Sequence, residues 1–132
     1  MKLILFVHRD ACKKGDVLKT VINHNFTGSK HQTINAFNAL RTRLKKCSGF
    51  AEKEIFILLA DSMIRLTQLM SLIELLEGRH IILILPDGSK ATLSKASQFF
   101  PRFFTPVSET YHDLCDVLNK MINQERIKPE EY

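Results

Sequence analysis

Two runs of consecutive apolar residues dominate the chain: Ile55 to Ala60, closed by Asp61, and Ile81 to Leu85, which follow His80. An unbroken apolar run suits a strand covered on both faces, the habit of the interior of a parallel sheet, whereas a half-exposed strand would alternate. Leu3 to Val7 is a third run of this kind and predicts a first, central strand at the amino terminus. Gln32 to Phe37 alternates polar with apolar residues, as an edge strand does. Arg102-Phe103-Phe104 predicts a brief last strand, after which Thr105-Pro106 forces an extended or turning dipeptide.

Between these strands the apolar spacing changes to that of helices. Gly15-Asp16 opens a helix with Val17, Leu18, Val21 and Ile22 on one stripe, ending near Asn23-His24-Asn25, where asparagine favours a left-handed cap. Asn38 caps a helix through about Lys46, with Leu40, Leu44 and Cys47 inward. Ser62 starts a helix to about Glu77 whose apolar set, Met63 to Leu76, is wider than one buried stripe requires. Either two neighbours cover it, or its Leu72 and Leu75 side is a surface for a partner or a second copy. Pro86-Asp87-Gly88 is a turn signal, followed by a short helix from Ser89 to Gln98. Ser108 or Thr110 caps the last helix, whose stripe is Tyr111, Leu114, Cys115, Leu118, Met121 and Ile122.

Strands alternating with helices predict an α/β fold: a three-layer, doubly wound, five-stranded parallel sheet of order 2-1-3-4-5. Residues 1–123 form one domain, and the polar residues 124–132 a tail that frays. At 132 residues the chain is long enough to bury a core unaided.

Composition narrows the function only a little. The net charge is +5, but the cations are spread along the chain. Their one dense run, Arg41-Thr42-Arg43-Leu44-Lys45-Lys46, fits the solvated side of a helix, which counts against nucleic-acid binding. Three widely spaced cysteines, Cys12, Cys47 and Cys115, form no zinc or redox motif and fit reduced thiols in the cytoplasm. No apolar run approaches the length of a membrane span, so no membrane association is expected.

The order of elements, the entry Asn35-Ala36-Phe37-Asn38-Ala39-Leu40, Asp61 closing the third strand and Phe104-Thr105-Pro106 before the last helix resemble the receiver domain of bacterial response regulators. The resemblance covers Lys2 to about Asn123. It implies a place in two-component signal transduction and a site at the carboxyl edge of the sheet. In that family an acidic pair after the first strand binds magnesium, an aspartate after the third accepts phosphate, a hydroxyl follows the fourth, and a lysine precedes proline after the fifth. Phosphoryl transfer to a carboxylate crowds anions together, so cations must neutralise them.

Here the acidic-pair positions hold His8 and Arg9, with Asp10 next. Asp61 matches the acceptor. The hydroxyl position falls at Leu85 or Pro86, near Asp87, and Thr105 stands where the lysine is expected. One carboxylate, Asp10, is too little for magnesium. The resemblance therefore implies a non-catalytic module without cofactor or metal, lacking magnesium-dependent phosphorylation. The residues at issue are His8, Arg9, Asp10, Asp61, Asp87 and Thr105. Arg9 is expected to pair with Asp61 in place of the metal, or else Asp61 caps the Ser62 helix.

On this reading the partner is a protein: a kinase, another regulator or a second copy docked through the apolar third helix or through the face built by the fourth and fifth elements. The rival reading is a flavodoxin-like enzyme or phosphocarrier that uses Asp61, or Cys12 after the first strand. Dinucleotide, Walker and nucleophile-elbow motifs are absent from the sequence.

Overall fold

The structure is a computed structural model that describes residues 2–28, 30–45, 54–99, 101, 103–106 and 111–126. Strands β1 (Lys2–Phe6), β2 (Lys30–Ile34), β3 (Glu54–Leu59), β4 (His80–Leu85) and β5 (Phe103–Pro106) form one all-parallel sheet of order β2-β1-β3-β4-β5. This is the predicted α/β architecture and the predicted strand order.

The reason lies in the apolar runs. Along each central strand, alternate side chains enter two separate cores. Ile4, Phe6, Phe56, Leu58, Ile81 and Leu83 face one side. Leu3, Leu5, Ile55, Ile57, Ile82 and Ile84 face the other. Helices α2 (Phe37–Lys45), α3 (Met63–Met70), α4 (Ile73–Leu76) and α5 (Lys90–Ser97) cover the first core through Leu40, Leu66, Leu76 and Ala96. Helices α1 (Cys12–Asn25) and α6 (His112–Arg126) cover the second through Leu18, Ile22, Leu114 and Leu118.

Several boundaries differ from expectation. Helix α1 begins a turn early, at Cys12, and carries Gly15 inside it. A Cβ on Gly15 would lie 1.9 Å from Val7 Cγ1, so glycine there lets the helix lie directly on the end of β1. Its carboxyl end is not left-handed: Phe26 has φ −132°, and its amide donates to Ile22 O. Strand β2 lies earlier than Gln32 to Phe37, and only Ile34 of its side chains is buried. Helix α6 continues past Gln124 to Arg126. Cys47, the expected caps Ser108 and Thr110, and residues 127–132 are outside the described residues.

The expected single helix from Ser62 to Glu77 breaks at Ser71 and Leu72. The Ser71 hydroxyl donates to Gln68 O at 2.6 Å, and the amides of Ser71 and Leu72 bond three residues back. That tight turn ends α3 and re-aims the chain. As a result Leu72 is 2 % exposed, while Leu75 packs against the first core. The wide apolar set is thus spent inward, and Leu72 and Leu75 do not form an outward surface. Ile64 alone of that set projects outward, 74 % exposed. Among the described residues no helix is long and apolar enough to cross a membrane.

The lower rim of the first core is fastened by Arg79. Its guanidinium donates to Leu75 O at 3.0 Å and Leu44 O at 2.9 Å, and lies 5.4 Å over the Phe56 ring. Cations at helix carboxyl ends satisfy orphan carbonyls there. Gly78, at φ +80°, makes the turn that delivers it.

Candidate functional site

The carboxyl ends of β1 and β3 lie side by side, and the chain leaves each of them through a polar segment. After β1, a 3-10 turn over Arg9–Ala11 carries Asp10. After β3, Ala60 N still donates to Ile84 O, which holds the strand end in the sheet up to the residue before Asp61. Ser62 is extended and accepts from Arg65 N at 3.1 Å, so Ser62, not Asp61, is the N-cap of α3. This frees the Asp61 carboxylate for another partner.

That partner is Arg65. Its Nε donates to Asp61 Oδ1 at 3.1 Å, its Nη1 to Gln68 Oε1 at 2.8 Å, and its Nη2 reaches Asp10 Oδ2 at 3.5 Å. The side chains of Arg65 and Asp61 are 12 % and 17 % exposed, so their pairing is shielded from solvent, whereas Asp10 is 70 % exposed. At a longer distance and in higher dielectric, the Asp10 contact contributes the smaller share of the attraction. Helix geometry favours the stronger pair, because a carboxylate four residues before a cation shares its face and lies near the positive helix end.

The expected Arg9–Asp61 pair is therefore replaced. Arg9 is exposed on the 3-10 turn, where its amide donates to Asn35 O at 3.2 Å. Its side chain has no hydrogen bond or ion pair with Asp61 among the described residues, and Asp61 Oδ1 accepts from Arg65 instead.

His8 belongs to the same cluster. Its ring meets Phe6 edge-on at 6.4 Å, and its Nδ1 accepts from the Asp10 amide at 3.1 Å. Asp10 Oδ2 also lies 3.4 Å from that nitrogen. A nitrogen accepting from an amide has no proton to offer the carboxylate, so the shorter amide contact is the one assigned.

Asp87 and Thr105 stay apart from this cluster. Asp87 Oδ1 accepts from Ser89 N at 2.9 Å and from Thr92 Oγ1 at 2.7 Å, while Ser89 caps α5. The Ser89 amide, and then the Thr92 and Ser89 hydroxyls, hold the Asp87 carboxyl below its usual range. The Thr92 side chain is fully buried, and this bond satisfies its hydroxyl. Thr105 Oγ1 makes only a long 3.4 Å contact with Pro106 O. Neither residue bonds to Asp61 among the described residues.

The side chain of Cys12 is outside what is described. Cys115 is part-buried, and burial followed by the neighbouring Asp116 charge pushes its thiol up, away from nucleophilic chemistry. In the basic run, Arg43 does not face solvent: it forms an ion pair with Glu54 at the start of β3. Arg41 and Lys45 are exposed.

Chemically, the cluster joins two carboxylates from two strand ends through one fixed cation. The donor set is poor for a divalent ion, since it offers two carboxylates and the guanidinium holds one oxygen of each. Among the described residues no three metal-ligating side chains converge. Set against models of known families, curated proteins and solved structures, the chain matches none of them.

Proposed function

We propose that this protein is a non-catalytic, receiver-like signalling or protein-interaction module of the cytoplasm, lacking magnesium-dependent phosphorylation. One observation carries the reading: Arg65 lies between Asp61 and Asp10, holding in a single chain the charge balance that a metal supplies elsewhere. The sequence adds support, with His8 and Arg9 in place of an acidic pair and Thr105 in place of a lysine.

A site whose carboxylates are already held by a guanidinium works by being recognised rather than by turning over. On this reading the partner is a kinase, another regulator or a second copy. The docking face is the one built around β5, where Phe104 is 41 % exposed.

Incubation with acetyl phosphate and magnesium, followed by intact mass and peptide mapping, tests the proposal. The expected result is an unchanged mass. A phosphoryl group on Asp61 would overturn the reading in favour of a phosphocarrier or a working receiver.

A further inference from the structure

We propose that the open side of β2, together with the cleft between β2 and α2, takes an acidic extended peptide as an added strand. The inference is independent of the fate of Asp61, since β2 lies at the sheet margin and contributes nothing to the Arg65 cluster.

The backbone supplies the first argument. Ile34 O accepts from Val7 N, so Ile34, Gln32 and Lys30 direct their main-chain groups toward β1. Alternation then turns the N–H and C=O of His31 and Thr33 to the open side. No other strand pairs with that side among the described residues. The edge is also held, because the His31 ring nitrogens lie 2.8 Å from the Asn23 side-chain amide and 2.8 Å from Phe26 O. A fixed strand loses little entropy on pairing.

The side chains supply the second argument. Gln32 and Ile34 from β2 and Asn38, Ala39, Thr42 and Arg43 from α2 line a cleft of about 380 Å³. Strand addition draws affinity from main-chain bonds and selectivity from a groove that receives alternate side chains, and the cleft lies where such side chains would enter.

Charge selects the occupant. Strand β2 and helix α2 contain Lys30, Arg41, Arg43 and Lys45 and no Asp or Glu. Exposed Lys45 follows Asn38 and Thr42 at helical spacing, on the flank that borders the cleft. Arg43 is already engaged by Glu54, so among the described residues the exposed Arg41 and Lys45 carry the charge without an ion pair. A second copy's β2 would bring like charges together, whereas an acidic strand is attracted.

The test is a heteronuclear NMR titration with a short, end-capped peptide of alternating Glu and Val. Controls are its Lys–Val counterpart and a single-stranded oligonucleotide. The expected result is shifts at the His31 and Thr33 amides and along Asn38 to Arg43 with the acidic peptide alone, fading as salt is raised. Thr33→Pro removes one outward N–H and leaves the ladder to β1 intact, so it abolishes the shifts. Should that variant misfold, the Arg41→Glu/Lys45→Glu pair keeps the test, with binding weakened about tenfold. The proposal is overturned by no shifts, by shifts on another face, by equal binding of the basic peptide, or by an oligonucleotide that displaces the peptide from the same residues.

Discussion

Replacing Gly15 by Ala tests how closely α1 lies on β1. Two effects oppose each other. In an open helix, alanine gains about 1 kcal/mol over glycine. Here the new Cβ would meet Val7 Cγ1 at 1.9 Å and Val7 Cβ at 3.2 Å, against an ordinary carbon contact of about 3.5–4.0 Å. Val7 is β-branched and 3 % exposed, so it has little room to rotate away. Overpacking of this kind costs about 1–3 kcal/mol, and an overlap this deep belongs at the upper end. The net expectation is destabilisation by about 1–2 kcal/mol. Urea denaturation of Gly15→Ala, Val7→Ala and the double variant closes a cycle. Val7→Ala alone costs about 2 kcal/mol for two lost methyl groups and their cavity. Because it also removes Cγ1, the double variant should fall well short of the sum of the two single losses. A Gly15→Ala protein as stable as the wild type, or strict additivity, would refute the close approach. The effect reaches the site, since Val7 immediately precedes the residues that place His8 and Asp10.

Two further outcomes follow from the same structure. Gly78→Ala forces a side chain into φ +80° and should cost about 1–2 kcal/mol in chemical denaturation even though nothing crowds the new methyl, whereas Gly28→Ala should be nearly neutral. The Asp87 carboxyl is lowered in the folded state, so its contribution to stability is present above the ordinary carboxylate pKa and is lost as pH falls through the lowered value. Asp87→Asn should therefore flatten the acid limb of a stability-versus-pH curve and leave its neutral limb parallel to the wild type. An unchanged acid limb would contradict the bonding to Ser89 and Thr92.

The fold was legible because the strands are apolar on both faces, and only a parallel interior uses residues such as Ile55 to Leu59 in that way. The break between α3 and α4 was not. It depends on one serine hydroxyl turning back to Gln68 O, a choice that apolar spacing cannot register. The site was half legible. Asp61 at the strand end was visible, and so, in principle, was Arg65, four residues further on at helical spacing. Arg9 follows the first strand in sequence, but it is exposed on the 3-10 turn, and Asp61 bonds to Arg65 instead. The reach from Arg65 to Asp10 spans 55 residues and exists only once the strand ends are neighbours. The same holds for Arg43 and Glu54, which turn part of a basic run into a fastening of α2 to β3.

Arg65 is bound to Asp61 as a fixed counter-charge, and a double-mutant cycle measures that pairing directly. Arg65→Met and Asp61→Asn, singly and together, are compared by urea denaturation at low and high salt. A charge-assisted pair shielded to this degree should give a coupling of about 1–2 kcal/mol that survives added salt. A coupling of zero, or one abolished by salt as for an exposed surface pair, would contradict the account.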